Sequence, residues 1–221
     1  SLLRCLRSEN LLYDPLRILR CFRFMSELNF DVEPHILDFI KLNKSHLKTV
    51  SVERIQYELK KIVNGKEALK TVKSLNKIKL FDWIQSYEEN YSNDSLLINI
   101  DNFLQDEIDK YFPLVYLKEL LEDTVIQKFK FSKSDALAIN SLRRWSKKLK
   151  EKSIINFTEI ERFQLHKDLE IILPAFILYL PLKYHREWLT RWRNKKDKLF
   201  HPTNIINGNQ LKNIIDISEG P

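Results

Sequence analysis

Only three glycines punctuate this chain of 221 residues, at positions 65, 208 and 220, with seven prolines beside them. Sandwiches and barrels need a tight turn at the end of each short strand, and glycine and proline are the residues that make such turns. So little turn-forming sequence leaves an all-β architecture without joints. Leu, Ile, Lys and Glu instead recur at helical spacing, which predicts an all-α fold with no sheet. Helices are expected over Pro15–Leu28, Pro34–Leu42, Val52–Val63, Lys66–Leu75, Asp101–Tyr111, Leu114–Leu121, Lys133–Glu151, Thr158–Leu173 and Lys183–Lys195. No internal repeat points to a solenoid.

Other classes fall away on composition. At 43% hydrophobic and 30% charged residues the chain can bury a core and divide into two or three subdomains. Cys5 and Cys21 are too few and too far apart for a metal site or disulfide framework, and Cys21 reads as a small buried apolar residue. The five histidines show no ligand spacing. Leu2-Leu3-Arg4-Cys5-Leu6-Arg7 is broken by charge, unlike a secretory signal. The most apolar run, Leu169 to Leu182, is interrupted by Glu170, Pro174 and Pro181 and is too short to span a bilayer. It reads as a buried helix with a proline break, and no membrane partner is expected. The acidic cluster Asp106-Glu107-Ile108-Asp109 reads as a solvated helix face, and no D-x-D pair occurs.

The net charge of +7 is unevenly spread. Asp82–Asp123 is acidic. Beyond it lie two basic runs, the first including Lys128, Lys130, Arg143, Arg144, Lys147 and Lys148, the second including Arg191, Arg193, Lys195 and Lys196. Such clusters bind phosphates through counterion release, or form an ordinary solvated face. Trp145, Trp188 and Trp192, interleaved with them, either stack on bases or fill the core.

Chemistry concentrates at Asp14-Pro15-Leu16-Arg17-Ile18-Leu19-Arg20-Cys21-Phe22-Arg23-Phe24. On a helix Arg17, Arg20 and Arg23 share a sector of about 120°, next to an apolar sector carrying Ile18, Phe22 and Met25. An ionised Asp only accepts hydrogen bonds and an Arg only donates them. Cytosine and adenine each present an amino donor beside a ring-nitrogen acceptor, whereas uracil and guanine present the reverse. Asp14 with Arg17 therefore suits C or A, because U or G would leave polar groups unpaired. Arg20 and Arg23 remain for phosphate or for bracing Asp14. The plainer alternative makes Asp14 a helix N-cap before Pro15 and the arginines a solvated face.

The segment Ser8–Phe24 resembles the region that follows the catalytic head in bacterial-type class II tRNA nucleotidyltransferases and poly(A) polymerases. That family has an E-D-x-x-R motif that templates CTP or ATP, within a D-P-L-R-x-L-R-x-x-R-F setting. The resemblance implies nucleotide-binding roles for Asp14, Arg17, Arg20 and Arg23, with Tyr13 in place of the family's Glu. Leu28-Asn29-Phe30 is similar to the family's L-G-F turn, and Asn tolerates the left-handed backbone that Gly provides there. Ser51-Val52-Glu53-Arg54-Ile55-Gln56-Tyr57-Glu58-Leu59 resembles its S-x-E-R-I-x-x-E-L element, implying a supporting role for Arg54 and Glu58. By spacing, Ser51 reads as an N-cap and Arg54 and Glu58 as an i,i+4 pair. Ile206-Asn207-Gly208-Asn209-Gln210-Leu211 and Gly220-Pro221 resemble the family's I-N-G-x-D-L and G-P tail.

By this resemblance the chain is an elongated array: a neck with the templating helix (1–65), a helical body (66–125) and a basic, RNA-contacting body and tail (126–221). It reads as a fragment clipped at both ends, without the catalytic head, and so with no catalytic and no metal-binding residues of its own. The implied partners are the tRNA acceptor arm, CTP or ATP and the head domain, with Mg2+ required by the full-length enzyme and a cytoplasmic location. The two basic runs would contact RNA. A non-catalytic helical module that binds RNA or protein, merely retaining the Arg helix, is the alternative.

Overall fold

The computed structural model of the protein describes the backbone of residues 2–3 and residues 9–86 and 99–202. The tail-like motifs from Ile206 onward, and Ser8 and Cys5, lie outside the described residues. Within them the chain is helical: α1 (Asn10–Tyr13), α2 (Leu16–Leu28), α3 (Pro34–Asn43), α4 (Val52–Val63), α5 (Ala68–Lys77), α6 (Gln105–Leu120), α7 (Asp123–Lys128), α8 (Lys133–Glu151), α9 (Glu159–Leu169), α10 (Leu173–Ile177) and α11 (Leu182–Arg193). The only sheet pairing among the described residues is parallel and two residues long, β1 (Leu2–Leu3) on β2 (Asp31–Val32). The fold is all-α, as composition predicts.

The sequence explains why α2 and α4 anchor the first part. Leu16, Ile18, Leu19, Phe22 and Met25 bury one stripe of α2, and Ile55, Leu59, Ile62 and Val63 bury the matching stripe of α4. α2 ends where Asn29 turns left-handed at φ 53° and ψ 41°, the conformation inferred from its place in the L-G-F-like turn. Gly65 follows α4 at a point of close approach. A Cβ there would stand 2.2 Å from Ser26 Oγ and 2.7 Å from the Ser26 backbone. Ser26 in turn donates its hydroxyl to the Ile62 carbonyl at 2.6 Å, and its carbonyl accepts from the Glu67 amide at 2.8 Å. One glycine thus lets α4 turn into α5 directly beneath α2.

The central helix differs from expectation. The two segments anticipated around Pro113 are one helix, α6. An interior proline costs about 3 kcal/mol. Tyr111, Phe112, Val115, Tyr116, Leu117 and Leu120 are all buried along it, and that packing outweighs the missing bond. Its first turn is fixed by the Leu104 amide donating to Glu107 at 3.0 Å. The expected Thr158–Leu173 helix is instead α9 followed by α10. Thr158 and Glu161 exchange bonds of 3.2 and 2.7 Å at the start of α9, and Pro174 sits in the first turn of α10. α10 is wholly buried, as the apolar run foretold. α6 packs on α4 and α5 and also on α8 and α10, so the buried residues from Leu11 to Phe200 form one connected core. No helix among the described residues is long and apolar enough to cross a membrane.

Candidate functional site

The polar face of α2 opens on a groove of about 390 Å3 lined by Leu11, Arg17, Arg20, Cys21, Arg23 and Phe24. The three arginines therefore share one wall, as their spacing requires. Their brace is Glu58 on α4, whose carboxylate is only 2% exposed. It accepts from Arg20 Nε at 3.3 Å and from Arg23 Nη1 at 3.1 Å. Arg23 is further fixed by Glu27 at 3.5 Å, and its guanidinium lies 4.8 Å from the Phe24 ring centroid. Arg17 is different. It is exposed, and its Nη1 donates to the Asn10 carbonyl at 3.1 Å. Among the described residues its other donors have no partner, which leaves them available to a ligand.

Four local expectations need correction. Arg54 and Glu58 do not pair with each other, because each has a better partner on the α2 side. Arg54 Nη2 reaches Asp14 Oδ1 at 3.3 Å, while Glu58 faces inward between Arg20 and Arg23. Asp14 does not cap α2: Pro15 is the N-cap residue, and the Asp14 carboxylate is drawn aside by Arg54 and by Arg20 at 3.8 Å. Asp14 is thus beside the groove wall rather than part of it. Ser51 does precede α4, but its side chain makes no capping bond. Cys21, expected to be buried, is partly exposed and lines the groove. Tyr13 is 83% exposed.

The basic residues separate into two groups. Six of the ten are held by acids from other segments. Arg143 bonds Asp123 at 2.9 Å and the carbonyls of Lys118 and Leu121, and Arg144 pairs with Asp168. Lys148 pairs with Glu161 at 2.9 Å, Lys130 with Glu53 at 2.6 Å, Arg191 with Asp197 at 2.8 Å and Arg193 with Glu107 at 2.7 Å. Lys195 lies 4.7 Å from the Trp192 ring centroid. Lys128, Lys147 and Lys196 are exposed and have no ion-pair partner among the described residues. Glu107, anticipated on a solvated face, is 6% exposed. Burial raises its carboxyl, but the Arg193 guanidinium and the Leu104 amide bring it below the ordinary value. Glu161 falls to about 2, through Lys152, the Thr158 amide and Lys148.

The tryptophans serve the core. Trp145 Nε1 donates to Asp168 at 3.0 Å and Trp192 Nε1 to the Glu170 carbonyl at 2.7 Å. Trp188 packs on His166 and Phe200, at centroid distances of 5.4 and 5.3 Å. His166, 2% exposed, is pushed down to about 4 by burial, with the Arg191 charge adding to the effect.

Comparison with known proteins fits this architecture. Residues 29–87 match the family model described as the probable RNA and SrmB-binding site of polymerase A. A CCA-adding enzyme of Staphylococcus aureus is 33% identical over 75 residues, covering 34% of this chain and 19% of the relative. A CC-adding tRNA nucleotidyltransferase of Synechocystis is 24% identical across 99% of this chain and 59% of the relative. The chain is thus similar to CCA-adding enzymes and, over residues 29–87, to the RNA-binding region of polymerase A. The fold is shared with the Thermotoga maritima CCA-adding enzyme complexed with tRNA, at TM-score 0.65 and 17% identity over 100% of this chain and 56% of that one. The Bacillus stearothermophilus CCA-adding enzyme in complex with CTP gives TM-score 0.64 and 18% identity over 100% of this chain and 57% of that one. The chain spans from 19% to 59% of the length of these curated relatives. The matched family model takes in α4 with Arg54 and Glu58 but begins after the Arg helix.

Proposed function

We propose that this chain forms the nucleotide-selecting and RNA-holding part of an enzyme that adds C, A or both to tRNA 3′ ends. The observation that carries this is Arg17, exposed on an open groove whose other two guanidiniums are locked by a buried carboxylate. Preorganised donors bind a polyanion without first losing side-chain freedom. Arg20 and Arg23 suit phosphate, since each keeps N–H groups beyond those given to Glu58. Arg17 then faces the base edge with Asp14 beside it. A carboxylate has about four lone-pair sites, so Asp14 can still accept from an amino group while Arg54 holds one oxygen. Arg54 acts as the strut that sets where that oxygen points. Exposed Lys128, Lys147, Lys195 and Lys196 hold phosphates of the acceptor arm, with the tRNA read by shape. From the resemblance we also infer a cytoplasmic location.

The described residues contain no group of three or more His, Cys, Asp or Glu placed to hold a metal ion. No step through the Mg2+ that the family resemblance implies is assigned to them.

Two charge reversals in the 221-residue chain test the division of labour. Arg17→Glu should abolish CTP and ATP binding in calorimetry while leaving tRNA affinity in filter binding nearly unchanged. Lys147→Glu with Lys196→Glu should do the opposite, flattening the salt dependence of tRNA binding by about 0.9 for each phosphate that is no longer neutralised. Equal effects of both variants on tRNA, with nucleotide binding untouched, would leave α2 as an ordinary solvated helix.

A further inference from the structure

α4 has an outward face that the arginine wall does not use. Glu58 points in, between Arg20 and Arg23, and Arg54 reaches Asp14 at 3.3 Å beside the groove. At 100° per residue Arg54, Lys61 and Tyr57 fall within about 60° of arc, turning away from Glu58. Tyr57 is 57% exposed, and among the described residues its hydroxyl has no hydrogen-bond partner. Packing therefore does not account for a large aromatic side chain there. Lys61 Nζ lies 4.9 Å from its ring centroid.

The charges on this face do not cancel. Lys130 holds Glu53 at 2.6 Å, Arg20 and Arg23 take Glu58, and Asp14 takes Arg54. Lys60 and Lys61, on either side of Tyr57, have no ion-pair partner among the described residues. Two contacts make the face continuous with its surroundings. Arg54 ties it to Asp14, and Gln56 donates to the Lys130 carbonyl at 2.8 Å, which sets the turn carrying exposed Lys128 against the same helix.

An exposed ring between two uncompensated cations, next to a groove walled by guanidiniums, suits unpaired RNA. Bases in a duplex are stacked on one another and offer a protein only phosphates and edges, whereas an unpaired base offers its face. We propose that Tyr57 is the stacking platform for an unpaired base at the 3′ end of the RNA, with Lys60 and Lys61 on the flanking phosphates. The inference rests on the reading of the chain as RNA-holding and gives the RNA end a seat. Tyr57 stands about 4.5 Å along the helix axis from Arg54, so a base on it lies beside the groove that selects the nucleotide.

Titration of the full 221-residue chain with two RNA hairpins tests this, one blunt and one ending in four unpaired 3′ nucleotides. The extended hairpin should bind more tightly than the blunt one. Tyr57→Ala should weaken the extended hairpin about fivefold or more and leave the blunt one unchanged. Tyr57→Phe keeps the ring and should bind both as the parent does. Lys60→Gln with Lys61→Gln should flatten the salt dependence of extended-hairpin binding by about 0.7 for each phosphate no longer neutralised. Equal losses on both hairpins overturn the proposal, as does a Tyr57→Phe variant as weak as Tyr57→Ala. If the extended hairpin binds the parent chain and Tyr57→Ala changes nothing, this inference alone falls. If neither hairpin binds the parent chain, the RNA-holding reading falls and takes this inference with it.

Discussion

Glu58 is the residue on which the arginine wall depends, and its removal has a calculable cost. Its carboxylate is 2% exposed and serves Arg23, itself 17% exposed, and Arg20, 42% exposed. Breaking a buried pair by deleting one partner costs about 3–5 kcal/mol, because a charge stays buried without compensation. Arg20 can turn to water, so its share is close to that of a surface pair, about 0–1 kcal/mol. Glu58→Ala should therefore destabilise the chain by about 3 kcal/mol, mostly through Arg23. Glu58→Gln keeps the shape and one acceptor and should cost less, about 1–2 kcal/mol. Replacing both members, Glu58→Met with Arg23→Met, should recover most of the loss, since apolar side chains of similar volume tolerate that burial. Urea unfolding followed by circular dichroism gives the three values, provided the slope with denaturant stays constant. The same Glu58→Gln variant should weaken CTP binding, because Arg20 and Arg23 lose their fixed orientation. If Glu58→Ala and Arg23→Met instead prove small and additive, the two side chains do not act as a unit and the groove is not preorganised.

Other outcomes follow from the packing and the buried charges. Gly65→Ala places a methyl 2.7 Å from the Ser26 backbone, so it should cost about 1–3 kcal/mol in thermal melts, and Ser26→Ala should not rescue it. His166 stays neutral in the fold, at about 4 against an ordinary 6.5, so the unfolded chain binds the extra proton between those values. Its contribution, about 3 kcal/mol, is complete above pH 6.5 and is lost as the pH falls towards 4. Urea midpoints should drop across that window, and His166→Phe should remove that part of the slope. Arg193→Met leaves Glu107 buried without its partner and should cost about 3 kcal/mol or more, whereas Lys196→Met should stay within about 0.5 kcal/mol of the parent. Arg143→Glu should behave like Arg193→Met, losing stability as well as RNA affinity, because Asp123 and two carbonyls depend on it.

What could be read from the sequence was local. The bounds of α4 and α8 follow from helical periodicity, and the arginine wall follows from three-residue spacing alone. Asn29 takes the left-handed turn because its side chain tolerates it. The misjudged features depend on partners far along the chain. Nothing near Pro113 announces that α4, α5, α8 and α10 pack around α6 and carry the helix through. Arg54 finds Asp14 forty residues away, and Arg193 finds Glu107 eighty-six residues away. A charge run read in isolation therefore overstates the free cations: the acids that hold Arg143, Arg144 and Lys148 sit on α7 and α9, which fold back against α8.

Nucleotide choice by Arg17 and Asp14 is the central claim, and equilibrium binding tests it most directly. The unmodified chain is titrated with CTP, ATP, UTP and GTP in parallel, and the titrations are repeated with Arg17→Ala. Selection by hydrogen-bond pattern predicts that CTP and ATP bind about tenfold or more tightly than UTP and GTP, and that the difference collapses in the variant. Four equal affinities in the parent chain, unchanged by Arg17→Ala, would contradict it and leave the groove a general phosphate site.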